Sequence, residues 1–274
     1  MSRALQPLYI SSGGMRLHGL LHGSGDGAVV VLAEPFAEEA KCARRVLTEV
    51  CWALVDGGLR VLRFDYRGCG DSDGEFESFD LDVWREDLRA AIAYARDTLA
   101  PRGLGLMGVR LGAVFAAETG GEVGANALVL VAPLLDGQMY WREQFRRTLI
   151  KARMTQGDQV SAEELRAGEQ NEYFDLGGWL VPRRMRAQLE AVNLGPGRVP
   201  DFGGPCLVVD VGARLEPSPP LKTLAEGYTH GEVLAVRLEP FWQRIGLVDG
   251  TLLAQILAGW LGEKGLGCMA VAPR

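Results

Sequence analysis

Apolar residues along the chain fall into two patterns: short continuous runs, and longer stretches where they recur every three or four positions. The runs Ala28–Ala33 (AVVVLA) and Ala127–Ala132 (ALVLVA) predict strands buried on both faces. Leu17–Leu21, Arg60–Phe64, Leu104–Met107, Pro205–Val211 and Val233–Leu238 are further strand candidates. Helical spacing fills the gaps. Val46, Leu47, Val50 and Leu54 mark one face of a helix over Lys41–Val55, which stops at Gly57-Gly58. Asp80 is an N-cap candidate for a helix running to about Leu99, with Val83, Leu88, Ala91, Ile92 and Ala95 as its apolar stripe. A short helix over Ala113–Glu118 and a last one over Asp249–Leu261 complete this set.

Strands that alternate with helices predict an α/β fold: a mostly parallel sheet with helices on both faces. The alternation breaks between residues 138 and 195, where charges are frequent and no run is strand-like. That segment reads as helices only, and so as a helical cap inserted between core strands of a single domain spanning residues 1–274. Ligands of such sheets bind beyond the carboxyl ends of the strands.

Composition narrows the function classes. With 47% hydrophobic and 23% charged residues, the 274-residue chain is an ordinary globular protein and not a disordered one. A net charge of −6 argues against nucleic acid as the main partner. The five cysteines show no CxxC spacing, so neither a disulfide framework nor a metal centre is expected, and no cofactor is implied. MSRALQPLYISSGG lacks a signal-peptide core, and no apolar run approaches the ~20 residues of a membrane span. A cytoplasmic location is the expectation.

The chemistry turns on Gly108-Val109-Arg110-Leu111-Gly112, which follows a strand and opens a helix. This is the setting of the G-x-S-x-G nucleophile elbow, with Arg110 where the chemistry needs Ser. The loop Asp65–Gly74 (DYRGCGDSDG) is similar to the α/β-hydrolase loop D-x-R-G-x-G-x-S. Together these motifs resemble the α/β-hydrolase superfamily.

The chain further resembles the exosortase A system-associated hydrolase 2 family of that superfamily. The matching stretches are Pro35–Arg45, Tyr66–Phe76, Gly108–Ala113, Leu176–Leu194, Gly212–Pro219 and Glu239–Trp242. The resemblance implies the α/β-hydrolase fold and nominal ester or thioester hydrolysis. It also implies a setting in extracellular-polysaccharide and exosortase-associated metabolism, and Arg in place of Ser as a shared feature.

Serine chemistry needs a nucleophile, a base and an orienting acid, in the chain order Ser, Asp/Glu, His. Arg110 cannot attack a carbonyl. At the acid position stands Leu215, with Glu216 beside it as the nearest candidate. The base loop, EPFWQRIGLVDG, holds no histidine, and His230 precedes the last strand on the opposite edge of the sheet. His18 and His22 lie near the N-terminus. Ser72 supports the turn or acts as a stray nucleophile; Cys69 has no evident group to form its thiolate.

A guanidinium at a helix N-terminus can hold an anionic ligand, or pair internally with Glu34, Glu38 or Glu39. Arg110, Leu111, Phe36, Glu38, Glu39, Ser72 and Trp242 are the candidate ligand-binding residues, with Phe241 filling space beside them. Three function classes follow. The first is a pseudoenzyme binding a small acyl or anionic ligand. The second is an ester or thioester hydrolase using water or another nucleophile. The third is a scaffold with a filled site. The arginine-rich stretch Arg142–Arg153 reads as a solvated helix or as a contact for an acyl-carrier protein or a membrane surface, and a homodimer stays open.

Overall fold

The apolar runs form the middle of an eight-stranded sheet in the computed structural model, which describes residues 3–156, 162–243, 246 and 248–266. The strands are β1 (Leu5–Ser12), β2 (Met15–His22), β3 (Val29–Ala33), β4 (Arg60–Phe64), β5 (Leu104–Val109), β6 (Ala127–Val131), β9 (Pro205–Gly212) and β10 (His230–Arg237); β7 (Tyr173–Asp175) and β8 (Leu180–Pro182) pair separately. The order across the sheet is β1-β2-β4-β3-β5-β6-β9-β10. The first two strands are antiparallel to their neighbours, and every later pairing in the sheet is parallel. This is the α/β-hydrolase fold. Every residue of β3, β4, β5 and β6 is buried, as the apolar sequences of β3, β5 and β6 demand; β4 buries Arg60 and Arg63 as well.

Two apolar cores result, one on each face. α1 (Glu38–Asp56) and α8 (Thr251–Glu263) cover one through Val46, Leu47, Val50, Leu253 and Leu257. α2 (Leu81–Asp97) and α3 (Leu111–Gly120) cover the other through Trp84, Leu88, Ile92 and Phe115. Asp80 caps α2 by accepting hydrogen bonds from the backbone N–H groups of Asp82 and Val83. Asp87, fully buried, accepts from Ser12 Oγ, from the Arg67 backbone N–H and from Arg67 Nε. It thereby ties the edge hairpin and the Asp65–Gly74 loop to α2.

Between β6 and β9 lie α4 (Gly137–Gln156), α5 (Ala162–Gly168), β7, β8 and α6 (Arg183–Ala191). The segment is therefore not purely helical: β7 and β8 form a hairpin with Tyr173 opposite Pro182. Three-residue strands are too short to show alternation in sequence. The remaining differences have similar causes. β1 is an edge strand with only Ile10 and Ser12 buried, so it reads as polar. α7 (Pro219–Glu226) is two turns long behind two prolines. α1 begins three residues earlier than its apolar spacing predicts, because its first turn is acidic. Among the described residues, no helix is long and apolar enough to cross a membrane.

The turn from β5 to α3 fits only glycine at two places. A Cβ on Gly108 would strike the carbonyl of Gly112, and a Cβ on Gly112 would strike the carbonyl of Ala33 on the neighbouring strand. Backbone cannot yield as a side-chain tip can. Gly112→Ala is expected to cost about 3 kcal/mol of stability, read as a lower urea midpoint; an unchanged midpoint would mean that α3 can back away from β3.

Candidate active site

Three neighbouring strands end in the same strained way. Ala37 follows β3 at φ 51°, Arg110 follows β5 at φ 57° and Ala132 follows β6 at φ 45°. Non-glycine residues rarely adopt positive φ, and such strain gathers where surrounding structure enforces it. At Arg110 the ψ is −115°, and the Arg110 N–H donates to the Val131 carbonyl at 3.0 Å. This backbone is a sharp strand-to-helix elbow, and it thrusts the middle side chain out beyond the sheet.

The Arg110 side chain does not reach open solvent. Its Nε and Nη2 donate to the two carboxylate oxygens of Glu39, each at 3.4 Å, and Nη1 donates to the Ala132 carbonyl at 3.4 Å. The guanidinium sits 5.0 Å from the centre of the Trp242 ring and 5.5 Å from that of Tyr140, within cation–π range of both. Gln144 Nε2 donates to Glu39 Oε1 at 3.2 Å. Side-chain exposure is 13% for Arg110 and 5% for Glu39, so the pair is held almost dry. Four segments meet here: the start of α1, the elbow, the first two turns of α4 and the loop after β10.

Burial pushes the Glu39 carboxyl above its ordinary value, and the Arg110 charge opposes that shift. Burial disfavours the charge on Arg110, but Glu39 and Tyr140 more than offset this and its pKa is raised. The pair thus has a permanent cation and a carboxylate that titrates closer to neutrality than an exposed one. The Tyr140 hydroxyl is driven far above its usual range by burial and by the Glu39 charge, although it makes no well-formed hydrogen bond.

A cavity of about 570 Å³ opens over Glu39, within the size range of small-ligand sites. Phe36, Glu39, Gln144, Arg147, Lys151 and Trp242 are among its walls. Lys151 Nζ donates to the Gly177 carbonyl at 3.4 Å. Arg147 leans on Glu143 at 3.3 Å. A roomier groove of about 990 Å³ between α1 and α8 lies on the outer face, away from the strand carboxyl ends.

The other sequence candidates fall into two groups. Phe36 and Leu111 are buried beside the elbow, Phe36 packed on Phe76 and Trp84. Phe241 is buried under Trp242. Glu38 is half-exposed, 3.7 Å from Lys41, and accepts from Trp179 Nε1. Glu34 is committed elsewhere, paired with Arg63 at 2.5 Å and buried. Ser72 Oγ accepts from the His18 N–H and donates to the Asp65 carbonyl, which fastens the turn. Burial and the nearby Asp65 and Glu34 charges hold the Cys69 thiol far above its ordinary value, so it stays protonated.

Glu216 and Leu215 point into solvent, and Glu216 lies 3.8 Å from Lys222. His230 is the first residue of β10 rather than ahead of it, at the end of the strand opposite the elbow. Residues 244, 245 and 247 of the base loop lie outside the described residues.

Sequence reasoning missed the contribution of α4. Tyr140, Gln144, Arg147 and Lys151 follow helical spacing and share one face. That stripe was legible, but nothing in it says which way the helix docks.

The sequence pattern of the serine aminopeptidase S33 family of hydrolases matches residues 27–170. The chain belongs to this family. The match runs from β3 through the elbow into the inserted helices. No curated protein sequence matches the chain. Among solved structures, the family fold recurs in ferulic-acid-bound Est1E from Butyrivibrio proteoclasticus, with TM-score 0.66 and 16% identity over 94% of this chain and 98% of that one. DcsB in complex with a substrate analogue gives TM-score 0.63 and 16% identity over 96% and 100% of the two chains. The Pyrococcus furiosus esterase Pf2001 gives 0.62 and 16% over 95% and 90%. At such identities the likeness is one of fold.

Removing the cation would strand Glu39 in an apolar site. Arg110→Met is expected to lose about 3 kcal/mol at pH 8. The sign with pH follows from the raised carboxyl. The folded state holds the Glu39 proton more tightly than the unfolded chain, so stability falls as pH rises from about 4.5 through the folded value. Without Arg110 that shift grows. The deficit of the variant in urea titrations is therefore expected to shrink towards pH 4.5, and Glu39→Gln in the same chain to remove most of it at pH 8. A deficit independent of pH would contradict the pairing.

Proposed function

We propose that this S33-family chain binds a small acyl ligand with an anionic head over its elbow and does not carry out serine hydrolysis. The observation that carries this reading is the Arg110–Glu39 pair. It fills the place where an elbow nucleophile and its oxyanion would stand. A guanidinium cannot serve as that nucleophile, and the sequence of the base loop offers no histidine. Beside the pair, the 570 Å³ cavity combines the apolar walls Phe36, Leu176 and Trp242 with the cations Arg147 and Lys151, across from the carboxylates Glu38 and Glu39. Apolar walls with a few convergent charges suit an acyl chain ending in a carboxylate or phosphate.

The resemblance to the exosortase A system-associated hydrolase 2 family supports a place in extracellular-polysaccharide metabolism, with an acyl-carrier protein as one donor of such a ligand. Membership of a hydrolase family favours a second reading, ester or thioester hydrolysis through water or a nucleophile away from the elbow. In that reading the same cavity holds the substrate.

One experiment separates the two. The purified chain is treated with a fluorophosphonate probe and weighed intact, then titrated with decanoate while its melting temperature is followed. No adduct is expected, together with a rise in melting temperature that Arg147→Ala plus Lys151→Ala abolishes. A stoichiometric adduct, at Ser72 or elsewhere, would overturn the reading. So would turnover of a p-nitrophenyl ester by Arg110→Ser, because it would require a base that the reading excludes.

A further inference from the structure

A second cavity, of about 620 Å³, lies within the inserted segment itself, between α4, α5 and α6. Its walls carry four arginines, Arg142, Arg146, Arg166 and Arg186, against two carboxylates, Glu169 and Glu190. Both carboxylates are already engaged by one arginine. Arg186 Nη2 lies 3.0 Å from Glu169 Oε1, and Arg186 Nε lies 3.1 Å from Glu190 Oε1. Glu169 also accepts from Trp141 Nε1 at 2.7 Å, and the Arg186 guanidinium is stacked 5.0 Å over the Trp141 ring.

Among the described residues, the other three guanidiniums have no carboxylate partner. Arg166 is steered over the Phe145 ring at 5.9 Å. Arg142 and Arg146 stand four apart on α4, a spacing at which like charges repel and weaken a helix. A chain of net charge −6 has carboxylates to spare, yet this cavity keeps an excess of cations.

We propose that the cavity binds an organic phosphate, its phosphoryl group held by Arg142, Arg146 and Arg166 and its body packed against Phe145 and Leu149. Each clause follows from the walls. Guanidinium forks match phosphate oxygens, and three of them suit a dianion better than a carboxylate. The volume far exceeds one phosphate ion, and the remaining wall is aromatic and aliphatic, so the phosphate is carried on an apolar or planar group. Arg186, clamped by both carboxylates, fixes the floor and does not compete for the ligand. This site is separate from the cavity over Glu39 and does not depend on the reading proposed for that one. The two share no lining residue and lie on different faces of α4.

The test is calorimetric titration of the full chain with phenyl phosphate at low ionic strength. Binding is expected, weaker for inorganic phosphate, which has no body to stack, and weaker again as sodium chloride is added. Arg142→Ala with Arg146→Ala should lower the phenyl phosphate affinity at least tenfold with the melting temperature unchanged. Both side chains are exposed and bear no packing load. Arg147→Ala with Lys151→Ala, in the other cavity, should leave that affinity within twofold. No binding by the unaltered chain would overturn the proposal. Equal affinity in the Arg142/Arg146 variant, or loss in the Arg147/Lys151 variant instead, would overturn it too.

Discussion

The desolvated pair of Arg110 and Glu39 is the constraint on which this end of the molecule depends. A guanidinium so largely out of water is tolerated only with a partner, and here the partner comes from the loop after the neighbouring strand. The parallel register supplies it: Ala33 of β3 is opposite Gly108 of β5, so the loops leaving the two strands emerge side by side. Glu39 then needs a donor for the oxygen that Arg110 shares, and Gln144 of α4 provides it. Trp242 and Tyr140 pack against the guanidinium within cation–π range. One charge pair thus couples α1, the elbow, the inserted helices and the loop after β10.

The geometry of the pair bears on function. Both of its hydrogen bonds are 3.4 Å long, whereas Glu34 and Arg63, equally buried nearby, meet at 2.5 Å. A hydrogen bond at 3.4 Å has lost much of its strength, so the Glu39 contact is the looser of the two ion pairs. Glu39 also has the raised carboxyl, because burial disfavours its charge. The tight pair braces β3 against β4; the loose one sits beside a cavity.

Much of this was legible in the sequence. Continuous apolar runs placed β3 and β6 within a residue of their observed limits, because strands buried on both faces cannot hide among polar residues. β1 was not legible for the opposite reason: five of its eight residues are exposed. The elbow was legible because two glycines and a middle residue recorded a steric demand that the backbone of Ala33 imposes. Three glutamates followed β3, and the choice of Glu39 among them was not legible. Glu34 is taken by Arg63 on β4, and Glu38 faces outward on the first turn of α1. Those are facts of register and helix phase. Tyr140 and Gln144 were further out of reach, since the spacing of a charged helix does not tell which face docks.

The strain around the elbow argues that its shape is still in use. Ala37, Arg110 and Ala132 each hold a positive φ, a conformation that costs of order 1–3 kcal/mol per residue. An unstrained loop would serve as well if the only task were to join β5 to α3. Instead the backbone keeps the shape that presents one side chain above the sheet, and the presented group is a cation with aromatic walls. The inserted segment adds to the same economy of charge. Its α4 turns Arg147 and Lys151 towards Glu39 and Arg142 and Arg146 towards a separate cavity, so that one helix divides its cations between two recesses. The anion-binding reading proposed above accounts for both the sorting and the retained strain.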